Sequence, residues 1–389
     1  MRQLLPARRR LSAALTALVL LSAPPGGAEE VAFETLDALG EALFFDTNLS
    51  FNRSQSCATC HDPETAFTDP RETAAGRAVS LGDDGVSLGD RSAPSAAYAA
   101  FTPRFHQDSE GRWIGGMFWD GREPDLEGQA GGPPLNPIEM GMPDRASVVV
   151  RLRENPDYVT SMTELFGPQV FDDPETAYGA MTQAIAAYER TPEFAPFDSK
   201  YDRYLRGEYQ LTRDEELGRL LFFSEQFTNC NLCHQLSRNP LDQQETFTNY
   251  QYHNIGTPVN RAARVVNGSP PLMIDAGLLA NPGVKDPAQI GKFKVPTLRN
   301  VAVTGPYMHN GVFQDLRTVV AFYNRYNSKA ESAQINPETG APWGDIPVAE
   351  TLSETELTHG PALDDRRIDA LVAFLKTLTD SRYEALLTE

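Results

Sequence analysis

All four cysteines of this 389-residue chain fall in two copies of one pattern, Cys57-Ala-Thr-Cys60-His61 and Cys230-Asn-Leu-Cys233-His234. Each is a C-x-x-C-H signature, in which two thiols add across the vinyl groups of a haem and carry the adjacent histidine onto the iron as proximal ligand. Redox disulfides or zinc-binding pairs need no histidine in that place. With 6 His in 389 residues, both pairs would be followed by one by chance about 2 times in 10,000. The spacing therefore predicts two covalently bound c-type haems on Cys57, Cys60 and His61 and on Cys230, Cys233 and His234. No cysteine is left for a structural disulfide, so the haems themselves must staple the fold.

Residues 1–28 carry Arg2, Arg8, Arg9 and Arg10, then the apolar run Leu11 to Leu21, then Gly-Gly-Ala before Glu29. This reads as a secretory signal peptide, cleaved to leave a chain in the periplasm with no membrane anchor. The apolar run of about 11 residues is too short to cross a bilayer. Beyond residue 28 there remain 30 Lys and Arg against 53 Asp and Glu. Such an acid excess excludes nucleic acid as a natural partner and suits a cationic protein.

The surroundings of the two haem motifs repeat. Leu39-Gly-Glu-Ala-Leu-Phe-Phe45 precedes the first and Leu217-Gly-Arg-Leu-Leu-Phe-Phe223 the second, while Glu64-Thr-Ala-Phe-Thr-Asp69 echoes Glu245-Thr-Phe-Thr-Asn249. This predicts two tandem cytochrome c-like domains, residues 29–207 and 208–389, in an all-α fold. Each Leu-Phe-Phe helix is expected to lie on its porphyrin. Asp173-Pro174 should start a helix with Ala177, Met181, Ala184, Ile185 and Tyr188 on one face. A closing helix should begin near Asp364 and bury Ile368, Leu371, Val372, Leu375 and Leu378. Between these lie long Gly/Pro-rich loops, Gly76 to Pro94 and Gly128 to Pro143, of a length that usually carries function.

His106, His253, His309 and His359 remain as candidate sixth ligands along with Met and Tyr residues, and spacing does not choose among them. Gln129 and Glu139, brought over an open iron, would orient a peroxide and move the proton that its heterolysis requires. Trp119 precedes them in Phe118-Trp-Asp-Gly-Arg122.

Together with Leu135-Asn-Pro-Ile-Glu-Met140, Tyr252-His-Asn-Ile-Gly256, Phe293-Lys-Val-Pro-Thr-Leu-Arg-Asn300 and Gly305-Pro-Tyr-Met-His-Asn-Gly311, these motifs give a chain that resembles the bacterial dihaem cytochrome c peroxidase family throughout its mature length. Within that family it is most similar to the methylamine-utilisation branch. The resemblance turns on Tyr323, 14 residues after His309, where typical members carry a methionine that ligates the second haem. A thioether favours ferrous iron and a phenol oxygen favours oxidised iron, so a His234/Tyr323 haem would store an oxidising equivalent better than it would relay electrons.

The resemblance further implies a five-coordinate first haem with Gln129 and Glu139 beside it, a closed second haem, and Trp119 between the two. It implies a calcium ion as well, held by Ser92 and by the carbonyls of Thr304 and Pro306. Ser92 stands where the family has an asparagine and is a weaker ligand. Two residues before Cys230 the branch has a surface tryptophan that passes electrons. This chain has Thr228 there, beside Phe227. The implied activity is oxidation of precursor methylamine dehydrogenase by hydrogen peroxide, completing its tryptophan tryptophylquinone cofactor. The alternatives are a peroxidase fed by a small cytochrome or cupredoxin, and a non-catalytic carrier with both irons closed.

Overall fold

Helices here start where a short polar side chain caps a run with one apolar face. Thr35 accepts the Ala38 N–H ahead of α1 (Leu36–Phe44), which buries Leu39, Leu43 and Phe44. The computed structural model describes residues 32–388 apart from 238, 240 and 272, so the signal segment read at 1–28 lies outside the described residues. After α1 come the one-turn α2 (Cys57–Cys60), α3 (Leu126–Ala130) and α4 (Pro174–Glu189). In the second half follow α5 (Arg213–Phe222), α6 (Cys230–Cys233), α7 (Leu316–Asn324) and α8 (Asp365–Lys376).

The two sequence-predicted helix starts stand where the caps placed them. Asp173 accepts the Thr176 N–H ahead of Pro174, and Asp364 accepts that of Arg367. α8 buries Ile368, Leu371, Leu375 and also Phe374, whereas Val372 is half-buried and Leu378 is buried just past the helix end. The loop expected from Gly128 begins later, because Asp125 accepts the Gly128 N–H at 3.0 Å and starts α3.

The same packing occurs twice. α1 crosses α4 so closely that a Cβ on Gly40 would meet the Ala184 carbonyl oxygen at 1.9 Å, and α5 crosses α8 with Gly218 equally close to the Ala370 oxygen, again 1.9 Å. One buried cluster runs from Leu39 to Phe194 and another from Tyr201 to Leu378. The Leu-Phe-Phe expectation needs correcting in the first half. Phe44 packs on Tyr188 and Phe194 and Leu43 is buried in the same cluster, neither lining the first cavity, and Phe45 is exposed. In the second half Phe222 does line a cavity.

The fold is helix-rich rather than purely helical. Among the described residues, three antiparallel pairs of two-residue strands occur: β1 (His106–Gln107) with β2 (Trp113–Ile114), β3 (Tyr252–His253) with β4 (Phe293–Lys294), and β5 (Ile335–Asn336) with β6 (Ala341–Pro342). Only β3 and β4 bear on the site, pairing Tyr252 with Lys294 and His253 with Phe293. The halves are tied by the Tyr98 hydroxyl donating to Asp380 at 2.6 Å and that of Tyr383 donating to the Pro63 carbonyl at 2.7 Å. Among the described residues, no helix is long and apolar enough to cross a membrane.

Candidate functional site

Each histidine of the two motifs is held in the same way. The His61 N–H donates to the Cys57 carbonyl at 2.9 Å, closing the single turn of α2, and His234 does the same to Cys230, also at 2.9 Å. The ring Nδ1 of His61 lies 3.1 Å from the Phe67 carbonyl, and that of His234 lies 3.1 Å from the Phe247 carbonyl. Phe67 and Phe247 reach those places with left-handed backbones, φ 55° and 56°. An imidazole that donates Nδ1–H to a carbonyl keeps the Nε2 lone pair for a metal. Burial lowers both histidines, His234 to about 4, so both rings are neutral at physiological pH and ready to ligate.

Two apolar cavities face these histidines. The first is lined by His61, Ser92, Trp119, Gln129, Thr304 and Pro306. The second is lined by Cys230, Cys233, His234, Phe222, Thr228 and Tyr323. All four thiols are free, and burial pushes Cys57, Cys60 and Cys233 up to about 12. Free paired thiols, a carbonyl-locked imidazole and a large apolar cavity make a donor set that fits haem. Among the described residues, no group of three His, Cys, Asp or Glu is placed to hold another metal.

The structure brings most of the sequence-predicted residues to these cavities. Trp119 lies on both walls, its Nε1–H donating to the Ser92 carbonyl at 2.8 Å. Gln129, on α3, faces the first cavity. Glu139 is outside that lining, within Coulombic reach of Cys60 and Arg122, and burial raises its carboxyl above the ordinary range. Tyr323, on α7, shares the second cavity with His234, and burial raises its phenol. Of the four open histidines, His253 and His309 line the second cavity, whereas His106 and His359 are exposed and line neither. Thr228, which stands where the branch has a tryptophan, is 4 % exposed with its hydroxyl donating to the Leu221 carbonyl at 2.6 Å. Its neighbour Phe227 is 47 % exposed.

Two residues escaped the sequence reading. Glu189, at the end of α4, is 5 % exposed and faces the first cavity, where desolvation pushes its carboxyl up to about 8. The available signal was a lone acid at the margin of an otherwise apolar helix face. Lys294 lines both cavities from β4, and its setting between Phe293 and Val295 was the only hint.

A family model described as di-haem cytochrome c peroxidase matches residues 34–210. The chain is 58 % identical over 379 residues to the methylamine utilization protein MauG of Paracoccus denitrificans, covering 97 % of each chain. It is 32 % identical over 302 residues to the cytochrome c peroxidase Ccp of Escherichia coli, covering 76 % of this chain and 54 % of that one. The crystal structure of the diheme peroxidase BthA from Burkholderia thailandensis matches with a TM-score of 0.79 at 35 % identity, over 90 % of this chain and 86 % of that one.

Proposed function

Because the chain belongs to the di-haem cytochrome c peroxidase family, haem-dependent oxidoreductases that act on peroxide, we propose that it uses hydrogen peroxide in the periplasm to complete the tryptophan tryptophylquinone of precursor methylamine dehydrogenase. The observation that carries this reading is Tyr323 in the cavity of His234. When bound, the two haems supply the iron that exchanges electrons with peroxide. Cys57, Cys60 and His61 would hold one, in the domain of residues 29–207. Cys230, Cys233, His234 and Tyr323 would hold the other, in 208–389. A phenol oxygen there favours oxidised iron, which suits withdrawal of electrons from a docked protein and suits relay from a cytochrome poorly. Trp119, on both walls, is the aromatic placed to couple the two centres.

Gln129 would orient peroxide in the first cavity, and Glu139 would take its proton. The raised carboxyl of Glu139 has a consequence with a definite sign. Only the ionised form accepts a proton, so the peroxide reaction should speed up as pH rises through that raised value. Glu139→Gln should flatten the rise and slow the reaction by about a hundredfold. Stopped-flow mixing with peroxide across pH measures both, and an unchanged profile would remove Glu139 from this role.

Calcium suits the neutral oxygens of Ser92, Thr304 and Pro306, which all line the first cavity. Supporting it, the carbonyls of Thr304 and Pro306 accept no backbone N–H among the described residues.

One observation favours a second reading, peroxide reduction with electrons from a small cytochrome or cupredoxin. Thr228 is buried and has no oxidisable ring, so the electron route expected of the methylamine-utilisation branch lacks its aromatic step. The test is growth of quinone absorbance when holoprotein and peroxide meet precursor methylamine dehydrogenase. Quinone formation by the wild type and none by Tyr323→His supports the first reading. No quinone, with rapid peroxide-driven oxidation of reduced cytochrome c, supports the second.

A further inference from the structure

The wall between the two cavities contains one ammonium with no counter-charge. Lys294 faces both cavities, and protein encloses it otherwise. Its backbone N–H donates to the Trp119 carbonyl at 2.9 Å, and its Nζ donates to the Gly116 carbonyl. The acid whose charge acts on it is Asp120, itself 3 % exposed and already engaged by Arg91 at 2.8 Å and Arg122 at 3.1 Å. Among the described residues, no carboxylate lies within ion-pair distance of Lys294.

A half-buried ammonium without a counter-charge is costly, and three N–H donors on Nζ exceed the one carbonyl that receives it. Desolvation pulls this group down to about 8, the signature of a cation still short of a partner. Thioether formation consumes the vinyl groups of a haem and leaves its two carboxylate arms as the only anions it brings into these cavities. We propose that Lys294 receives a carboxylate arm of a haem at the wall between the two cavities, and that its charge raises the reduction potential of that haem. A neutral donor would satisfy the Gly116 carbonyl equally well, so the charge itself needs this second purpose. The position also explains why one residue touches both cavities beside Trp119: from there Lys294 reaches a carboxylate arm presented from either side.

The inference rests on the haem reading of the cavities, and one preparation tests the two separately. Haem content of purified Lys294→Gln and Lys294→Arg is measured first, by the pyridine haemochrome spectrum, and then the two midpoint potentials are resolved by spectroelectrochemistry. Wild-type protein without covalent haem overturns the underlying reading. Given two haems, Lys294→Gln should shift the ferric-to-ferrous equilibrium of one of them about tenfold toward ferric, a fall of about 59 mV for a one-electron couple. Lys294→Arg should restore most of it. The haem that shifts, high-spin or low-spin, identifies the cavity that supplies the carboxylate. Its propionate bending band in resonance Raman spectra should move with it. Potentials of Lys294→Gln equal to those of the wild type, at full haem content, overturn the proposal. If Lys294→Gln loads no haem, Lys294→Met decides in its place: a fall in one potential at full haem content supports the ion pair, and potentials equal to those of the wild type overturn it.

Discussion

Gly218→Ala should destabilise the second half of the molecule by about 3 kcal/mol, at the upper end of ordinary overpacking costs. The added Cβ would sit 1.9 Å from the Ala370 oxygen, 2.6 Å from its carbonyl carbon and 2.8 Å from the Phe374 Cβ. Two of those atoms are backbone, so relief requires α5 and α8 to separate. Separation opens the buried contacts of Phe222, Leu371, Phe374 and Leu375 between them. At about 2–4 °C per kcal/mol for a unit of this size, the melting temperature should fall by roughly 6–12 °C. Gly40→Ala should do the same in the first half, where the Ala184 oxygen is as close. The control is Gly179→Ala on α4, which meets nothing within 4 Å and should gain up to about 1 kcal/mol from helix propensity. Calorimetry on the three holoproteins checks the set. Gly218→Ala melting with the wild type would mean that the helices do not cross as closely as described.

The second large effect is that of Asp202→Ala, which should cost about 3–5 kcal/mol by stranding a buried cation. The Arg299 side chain is 0 % and that of Asp202 1 % exposed, and they meet at 2.5 Å. Arg299 also donates to the Glu245 carbonyl at 2.9 and 2.7 Å and lies over the rings of Tyr98, Phe197 and Phe247. Asp202 accepts from the N–H and hydroxyl of Ser199, capping the short helix Lys200–Leu205. Removing the carboxylate leaves the guanidinium with neutral partners in a dry site. Adding Arg299→Met to Asp202→Ala should therefore recover part of the loss, because it removes the stranded charge. A double variant less stable than the single one would show that Arg299 stabilises through its ring and carbonyl contacts independently of Asp202. Denaturant unfolding of the four proteins of the cycle measures this.

Local chemistry was readable without the fold. C-x-x-C-H is a covalent instruction contained within five residues, and Asp173 and Asp364 cap helices through contacts three residues away. The duplication was readable because Gly40 and Gly218 sit at matching places ahead of their haem motifs. Misreadings arose where a side chain could take either of two apolar settings. Phe44 and Phe222 both went into a helix core from near-identical local sequences, but Phe222 lines a cavity as well, because the partner surfaces differ. Thr228 shows the same sensitivity to partners: its hydroxyl donates to the Leu221 carbonyl from a buried position, while Phe227 beside it is exposed.

By itself, then, the sequence determined the two C-x-x-C-H motifs that would hold the haems, the caps that start Pro174–Glu189 and Asp365–Lys376, and that the chain repeats its plan, since each depends on neighbours within a few turns. Only the tertiary structure decided which polar groups share the two cavities. Lys294 meets Gly116 across 178 positions, and Glu189 and Gln129 reach one cavity from different helices. Trp119 reaches both walls because Ser92, 27 positions earlier, accepts its indole N–H. Such groups are selected by long-range closure and desolvation, which leave no periodicity in the chain to read.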